Sequence, residues 1–272
     1  MNRLSVISAA QTDTGIVRDH NEDAVLEHPR AGLWAVADGM GGHSAGDVAS
    51  TMVIQALSEL AAESSLADMA NRVDDAMQQV NRELRALALR RGTHTIGTTV
   101  AVLVAHQRHA LAMWAGDSRI YRLRDGRLDQ LSHDHALVSE LLAHGVITQD
   151  QAETHPHGNL VTRAVGASDE LHLDLEIVEL APGDLFLLCT DGLDKEVADG
   201  EIAAAAAGQE VADIPPRLVE LALTRGGRDN VSVVVAQVEA DGDGNRSVTH
   251  SVGFTDSGED TLPDFSLNTD AR

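Results

Sequence analysis

Cysteine is almost missing from this chain. Cys189 stands alone among 272 residues, which excludes internal disulfides and any thiolate zinc cluster. Aromatic residues are nearly as scarce, with two Trp, one Tyr and three Phe, too few for a base-stacking platform. Basic residues number 20 against 43 acidic ones, a formal charge of −23 at pH 7. A nucleic-acid protein needs a net basic footprint, and anionic membranes attract polybasic segments, so neither is an expected partner. No apolar run approaches the ~20 residues of a membrane-spanning helix. Met1–Ser5 lacks the apolar core of a signal peptide. The expected location is the cytoplasm.

What is present is a core: 43% of the residues are hydrophobic, well above the disordered range. Leu4–Ala10, Asp23–His28 and Leu33–Ala37 read as short strands. Beyond Gly41-Gly42 the period changes to that of a helix. Ser44, with Asp47 three residues on, has the form of a capping box, and Val53, Ala56, Leu57 and Leu60 follow at helical spacing. Met69, Val73, Ala76, Val80, Leu84 and Leu87 define one face of a second helix, stopped by Gly92. Strands are expected again at Thr98–Ala105, Ala110–Ala115 and Ile120–Leu123, with Asp125-Gly126 as a hairpin signal before Leu128–Leu131. A polar, histidine-rich segment over about 132–167 interrupts the pattern, with one short helix at Ala136–Ala143. Strands at Leu171–Leu180 and Leu185–Thr190, helices at Glu201–Ala207 and Ile214–Thr224, and a strand at Val231–Glu239 complete the reading. Residues 1–240 are expected to form one domain, and the composition of 241–272 predicts a disordered acidic tail. Two runs of strands separated by long helices predict an α+β sandwich rather than a βαβ alternation. The Gly39-Met40-Gly41-Gly42 stretch matches neither a dinucleotide fingerprint nor a P-loop.

One pattern carries the functional argument. Apolar strands run into an aspartate followed by a small residue: Asp38-Gly39, Asp117-Ser118 and Asp191-Gly192. At the opposite polarity, Asp229-Asn230 precedes the last strand. A lone Asp-Gly is a turn signal. Four such ends on packed sheets can gather their carboxylates at one end, where mutual repulsion calls for a bound cation or raised pKa values. Oxygen-only ligands select hard metals: magnesium, manganese or calcium. Two such ions bridged by an aspartate suit hydrolysis at phosphorus by a metal-activated water. Arg18 offers a planar donor for phosphate oxygens, and Glu22 can orient a water from behind the ions.

Arg18-x-x-Asn21-Glu22-Asp23, Asp38-Gly39-Met40-Gly41-Gly42-His43, Gly97-Thr98-Thr99, Gly116-Asp117-Ser118-Arg119, Asp191-Gly192 and Gly227-Arg228-Asp229-Asn230 stand in the order and rough spacing of the metal-dependent type 2C (PPM) protein phosphatases. The chain resembles that family from about residue 4 to 239. The resemblance implies a four-layer αββα sandwich, two antiparallel sheets face to face and flanked by helices, that hydrolyses phosphoserine and phosphothreonine at a binuclear Mn2+ or Mg2+ centre. It implies that Asp38 bridges both ions, that the Gly39 carbonyl binds one, and that Asp191 and Asp229 complete the other. Glu22 would hold a metal-bound water, Arg18 would grip the phosphate, and Asp117 with Asp191 would match a third metal position. The 132–167 segment would be a flap beside the site. Animal and plant members carry His where this chain has Met40, a thioether with no proton to donate. The chain therefore resembles the bacterial branch, and its general acid stays unassigned.

The partners so implied are phosphorylated proteins and a cognate bacterial Ser/Thr kinase, the enzyme itself being a monomer. The alternative is a non-catalytic phosphoprotein-binding member of the same fold. A phosphatase dedicated to an anti-sigma-factor antagonist would share the same site, and apart from the resemblance a structural calcium-binding domain fits the carboxylates. Trp34 and Trp114 are expected in the core, and Cys189 as a buried thiol. The histidines of His133-Asp134-His135 and His155-Pro156-His157 are expected to be solvated, with His135 a candidate for the unassigned acid.

Overall fold

The computed structural model describes residues 4–41, 45–153, 155–158 and 160–240. The expected tail 241–272, Gly42-His43 and the Ser44 half of the capping box lie outside the described residues. In chain order the elements are β1 (Leu4–Asp13), β2 (Asp23–His28), β3 (Leu33–Met40), α1 (Gly46–Ser58), α2 (Leu66–Arg91), β4 (Gly97–Thr98), β5 (Val100–His106), β6 (His109–Ala115), β7 (Arg119–Arg124) and β8 (Arg127–Gln130). They continue with α3 (Leu137–Ala143), α4 (Gln149–Glu153), β9 (Asp174–Glu179), β10 (Leu185–Cys189), α5 (Asp191–Asp194), α6 (Asp199–Ala206), α7 (Ile214–Thr224) and β11 (Val231–Ala240).

Two antiparallel sheets result. One has the order β1-β11-β10-β7-β8. The other runs β2-β3-β5-β6-β9, with β4 also paired to β3. Both faces of the central strands are buried, which is why they read as continuous apolar runs. Along β3, Leu33, Ala35 and Ala37 face Val53, Leu57, Met77 and Leu84 of α1 and α2. The alternate residues Trp34 and Val36 join Leu103, Trp114, Phe186, Leu188, Val234 and Ala236 between the sheets. Along β11, Val233 and Val235 turn the other way and pack with Ile202, Leu218 and Ala222 of α6 and α7. The layers are helix, sheet, sheet, helix, as expected. Trp34, Trp114 and Cys189 are all buried in them.

The helix punctuation is mostly as read. Ser65 caps α2 by accepting the Asp68 N–H at 3.1 Å, and Gly92 ends it in the left-handed region at φ 66°. The Asp125-Gly126 hairpin also holds, both residues taking positive φ. The start of α1 differs. Its cap is Ala45, with no side-chain bond, and Asp47 Oδ1 instead accepts the adjacent Val48 N–H at 2.7 Å. The strand expected over Leu171–Leu180 begins only at Asp174, because Leu171 and Leu173 pack into the helix-side core.

Candidate active site

The strand ends carrying the four aspartates meet at one end of the sandwich. Arg18, Glu22, Asp38, Gly39, Asp117, Asp191 and Asp229 all line one cleft of about 940 Å³. Every residue assigned to the site from the sequence is therefore in one place.

Asp38 ends β3 at the floor of this cleft. Its backbone is pinned by the neighbouring threonines. The Asp38 N–H donates to Thr99 Oγ1 at 3.0 Å, Thr98 Oγ1 donates to the Asp38 carbonyl at 2.9 Å, and the Thr99 N–H donates to the same carbonyl at 2.8 Å. The next residue has to be glycine. A Cβ on Gly39 would collide with the Gly46 carbonyl and lie 2.7 Å from that of Glu22. The same close approach recurs at Gly192, whose Cβ would meet the Asn230 carbonyl oxygen. The glycines after Asp38 and Asp191 thus let a second backbone come in against the site.

Asp38 has its pKa raised well above the ordinary value, first by burial and then by Asp23, Asp191, Asp117 and Asp229. Its carboxylate accepts no hydrogen bond from the described residues. Asp117 is pushed up to about 7 by burial and by Asp191. Glu22 is raised by burial, although the Gly46 N–H at the start of α1 partly offsets this. Protein cations cover the outer carboxylates: Arg18 Nη2 lies 2.7 Å from Asp229 Oδ2, and Lys195 pairs with Asp191. Among the described residues no three His, Cys, Asp or Glu side chains are drawn together as a finished metal cage. What exists is a half-buried carboxylate without a hydrogen-bond donor among the described residues, in a negative field, ringed by oxygen donors and with no soft ligand in the set. Those residues fit hard divalent cations.

Asn230 holds the loop that presents Arg18. Its Nδ2 donates to the carbonyls of Thr14 and His20 at 2.8 and 2.9 Å, while its Oδ1 accepts the Glu22 N–H at 2.8 Å. Beneath the cleft lies Asp23, given no role in the sequence reading. It stands opposite Asp38 in the β2–β3 register and is raised to about 7 by burial. Its Oδ2 accepts from Thr190 and Ser232 at 2.7 Å each, joining the two sheets, while Oδ1 is buried without a partner. Lys195 was also missed.

His135 corrects the expectation of a solvated side chain. It is only 7% exposed and stacks on Trp114 at an interplanar angle of 16°. Its Nδ1 accepts the Gly116 N–H at 3.1 Å, and Nε2 lies 3.1 Å from Asp174 Oδ2. Burial lowers its pKa. Both ring nitrogens are engaged by the protein, so His135 is a packing element rather than a proton donor to substrate. Asp134 is likewise structural, taking a forked bond from Arg119 at 2.7 to 3.2 Å. Arg119 also reaches Asp194 at 3.1 Å.

A four-layer sandwich with an acidic, oxygen-lined cleft across its sheet ends is the architecture of the metal-dependent protein phosphatases. The protein phosphatase 2C family model matches residues 16–216, and the chain belongs to that family. It is 43% identical over 232 residues to serine/threonine protein phosphatase PstP of Mycobacterium tuberculosis, covering 85% of this chain but 44% of that protein. The chain thus spans less than half the length of that relative. PppA, a key regulatory component of T6SS in Pseudomonas aeruginosa, superposes with a TM-score of 0.81 and 41% identity over 88% of this chain and 100% of that one. The catalytic domain of PstP in complex with two manganese ions gives 0.79 and 40%, over 87% and 99%.

Proposed function

We propose that this chain is a metal-dependent phosphoprotein phosphatase that hydrolyses phosphoserine and phosphothreonine esters with two divalent cations, Mn2+ or Mg2+. One observation carries the reading: Asp38 is a half-buried carboxylate that accepts no hydrogen bond from the described residues, set among Asp191, Asp117 and Asp229 in the cleft that Arg18 overlooks. Asp38 with the Gly39 carbonyl, and Asp191 with Asp229, would hold the ions, and Asp117 with Asp191 would hold a third. When bound, such ions supply Lewis acidity and a water acidified into the neutral range.

The chain's own groups divide the remaining work. Arg18 is half exposed and spends one donor on Asp229, so its other guanidinium N–H groups can take phosphate oxygens. Glu22, whose carboxylate lies against Gly46 at the start of α1, orients water for attack. Asn230 holds Arg18 and Glu22 in register by clamping both ends of the loop between them. The expected acid for the leaving alcohol is not His135, for the reasons above.

The partners that follow are phosphorylated proteins and the Ser/Thr kinase that makes them, with the enzyme a cytoplasmic monomer. Residues 241–272 are read as an acidic tail beyond the phosphatase unit. Support comes from the composition and the family; no helix among the described residues is long and apolar enough to cross a membrane.

The test is phosphate release from a phosphothreonine peptide with Mn2+, with Mg2+ and with EDTA, beside Asp38→Asn. Release should require the cation and fall on the order of a thousandfold in the variant. Wild-type rates for Asp38→Asn would sink the two-metal scheme. Folded protein that binds the peptide without releasing phosphate would favour the phosphoprotein-binding alternative.

A further inference from the structure

Nineteen of the chain's 20 basic residues are arginines, and the only lysine is Lys195. That single ammonium lies in the candidate active site. It lines the main cleft with Asp117 and Asp191, and with the same two aspartates it lines a side cavity of about 370 Å³ under α3 and α4. It follows α5 directly, four residues after Asp191, and Nζ pairs with Asp191 Oδ2. Asp191 Oδ1 takes no hydrogen bond from the described residues. Asp117 lines both of these cavities beside the same ammonium. Burial loosens the ammonium's hold on its proton, but Asp191, Asp117 and Asp194 outweigh that effect and leave Lys195 above the ordinary lysine value.

We propose that Lys195 is a tethered cation standing between Asp117 and Asp191, so that a divalent ion binding that pair must first displace it. The inference rests on the reading of Asp117 and Asp191 as metal ligands and goes beyond it. The core positions and this outer one then differ in kind. At the core, Asp38 has no protein cation bonded to it and the field calls for a metal. At the outer position the chain carries its own compact, strongly hydrated charge on a flexible stem. An ion arriving there gains two carboxylates but must break a charge-assisted bond, which sets its affinity about tenfold lower than it would be without the lysine. Lys195 acts on the metal through the aspartates, as a positioning residue.

Mn2+ binding to the full chain by titration calorimetry, with the bound ion counted by mass spectrometry of the metal, compares wild type, Lys195→Met and Lys195→Arg. Methionine keeps the length and removes the charge, while arginine keeps the charge. The weakest Mn2+ site should tighten about tenfold in Lys195→Met and stay near wild type in Lys195→Arg. A sole lysine supplies a second readout that needs neither activity nor a variant. Mild acetylation, read by peptide mass spectrometry against the terminal amine, should be slow at Lys195 in EDTA and faster once Mn2+ fills the weakest site. Superimposable isotherms for wild type and Lys195→Met, with acetylation unmoved by Mn2+, overturn the tethered-cation proposal while leaving the two-metal reading intact. A wild type that binds no Mn2+ overturns both.

Discussion

Asp23→Asn is expected to stabilise the metal-free protein, by an amount that grows with pH. The carboxyl of Asp23 sits between the sheets, with burial raising it from an ordinary 3.8 to about 7 against the pull of Ser232 and Thr190. Below 3.8, folded and unfolded chains both carry the proton. Between 3.8 and about 7 the folded chain keeps it and the unfolded chain has lost it, so stability falls as pH rises; above about 7 the loss is complete. A displacement of that size corresponds to about 4 kcal/mol as a ceiling. Asparagine retains an oxygen for Thr190 and Ser232 and carries no charge. In a domain of this length the ceiling is worth roughly 10 °C in Tm. Thermal and urea denaturation of both proteins in EDTA, at pH 4, 5, 6, 7 and 8, measures it. The two should nearly coincide at pH 4, and the variant should lead by several degrees at pH 8. A difference that stays flat across the range, or an Asn variant that loses ground with rising pH, refutes the account of Asp23 as a buried, charge-averse carboxyl.

Two further outcomes follow from the same geometry. Asp117→Ala should cut turnover about tenfold and shift the Mn2+ dependence to higher concentration, yet leave metal-free Tm at pH 8 at or above wild type, since it removes a carboxyl raised to about 7; a collapsed Tm in EDTA would contradict this. Gly39→Ala forces a methyl against two backbone carbonyls, those of Gly46 and Glu22. A loss of about 3 kcal/mol in urea denaturation is the expected result, and unchanged stability would show that α1 can move away from β3 at little cost.

The four strand-end aspartates were legible because each is a local event: Asp38, Asp117 and Asp191 close an apolar run and are followed by a small residue, and Asp229 opens one. The sheet layers were legible for the same reason, since strands buried on both faces cannot alternate. Asp23 was hidden because its partners are remote. Thr190 and Ser232 lie 167 and 209 residues away, and an aspartate opening a short strand looks solvated until the opposing sheet covers it. His135 misled in the same way. Its neighbours in sequence are polar, but Trp114, Gly116 and Asp174 come from elsewhere in the chain to bury it. Lys195 was overlooked among charged neighbours just after a helix of four residues, too short to show a period. Its rarity was the available signal.

The pairing of β1 with β11, unbroken from Leu4 opposite Ala240 to Asp13 opposite Val231, bears on how the enzyme comes into being. β11 is the internal strand between β1 and β10, so while the chain is being synthesised β1 has no hydrogen-bonded strand partner until the final strand of the sandwich arrives. Asp229 and Asn230 come with that strand, and with them the partner of Arg18 and the clamp on its loop. Until β11 is made, Arg18 therefore has no Asp229 to pair with and its loop has no Asn230 to clamp it.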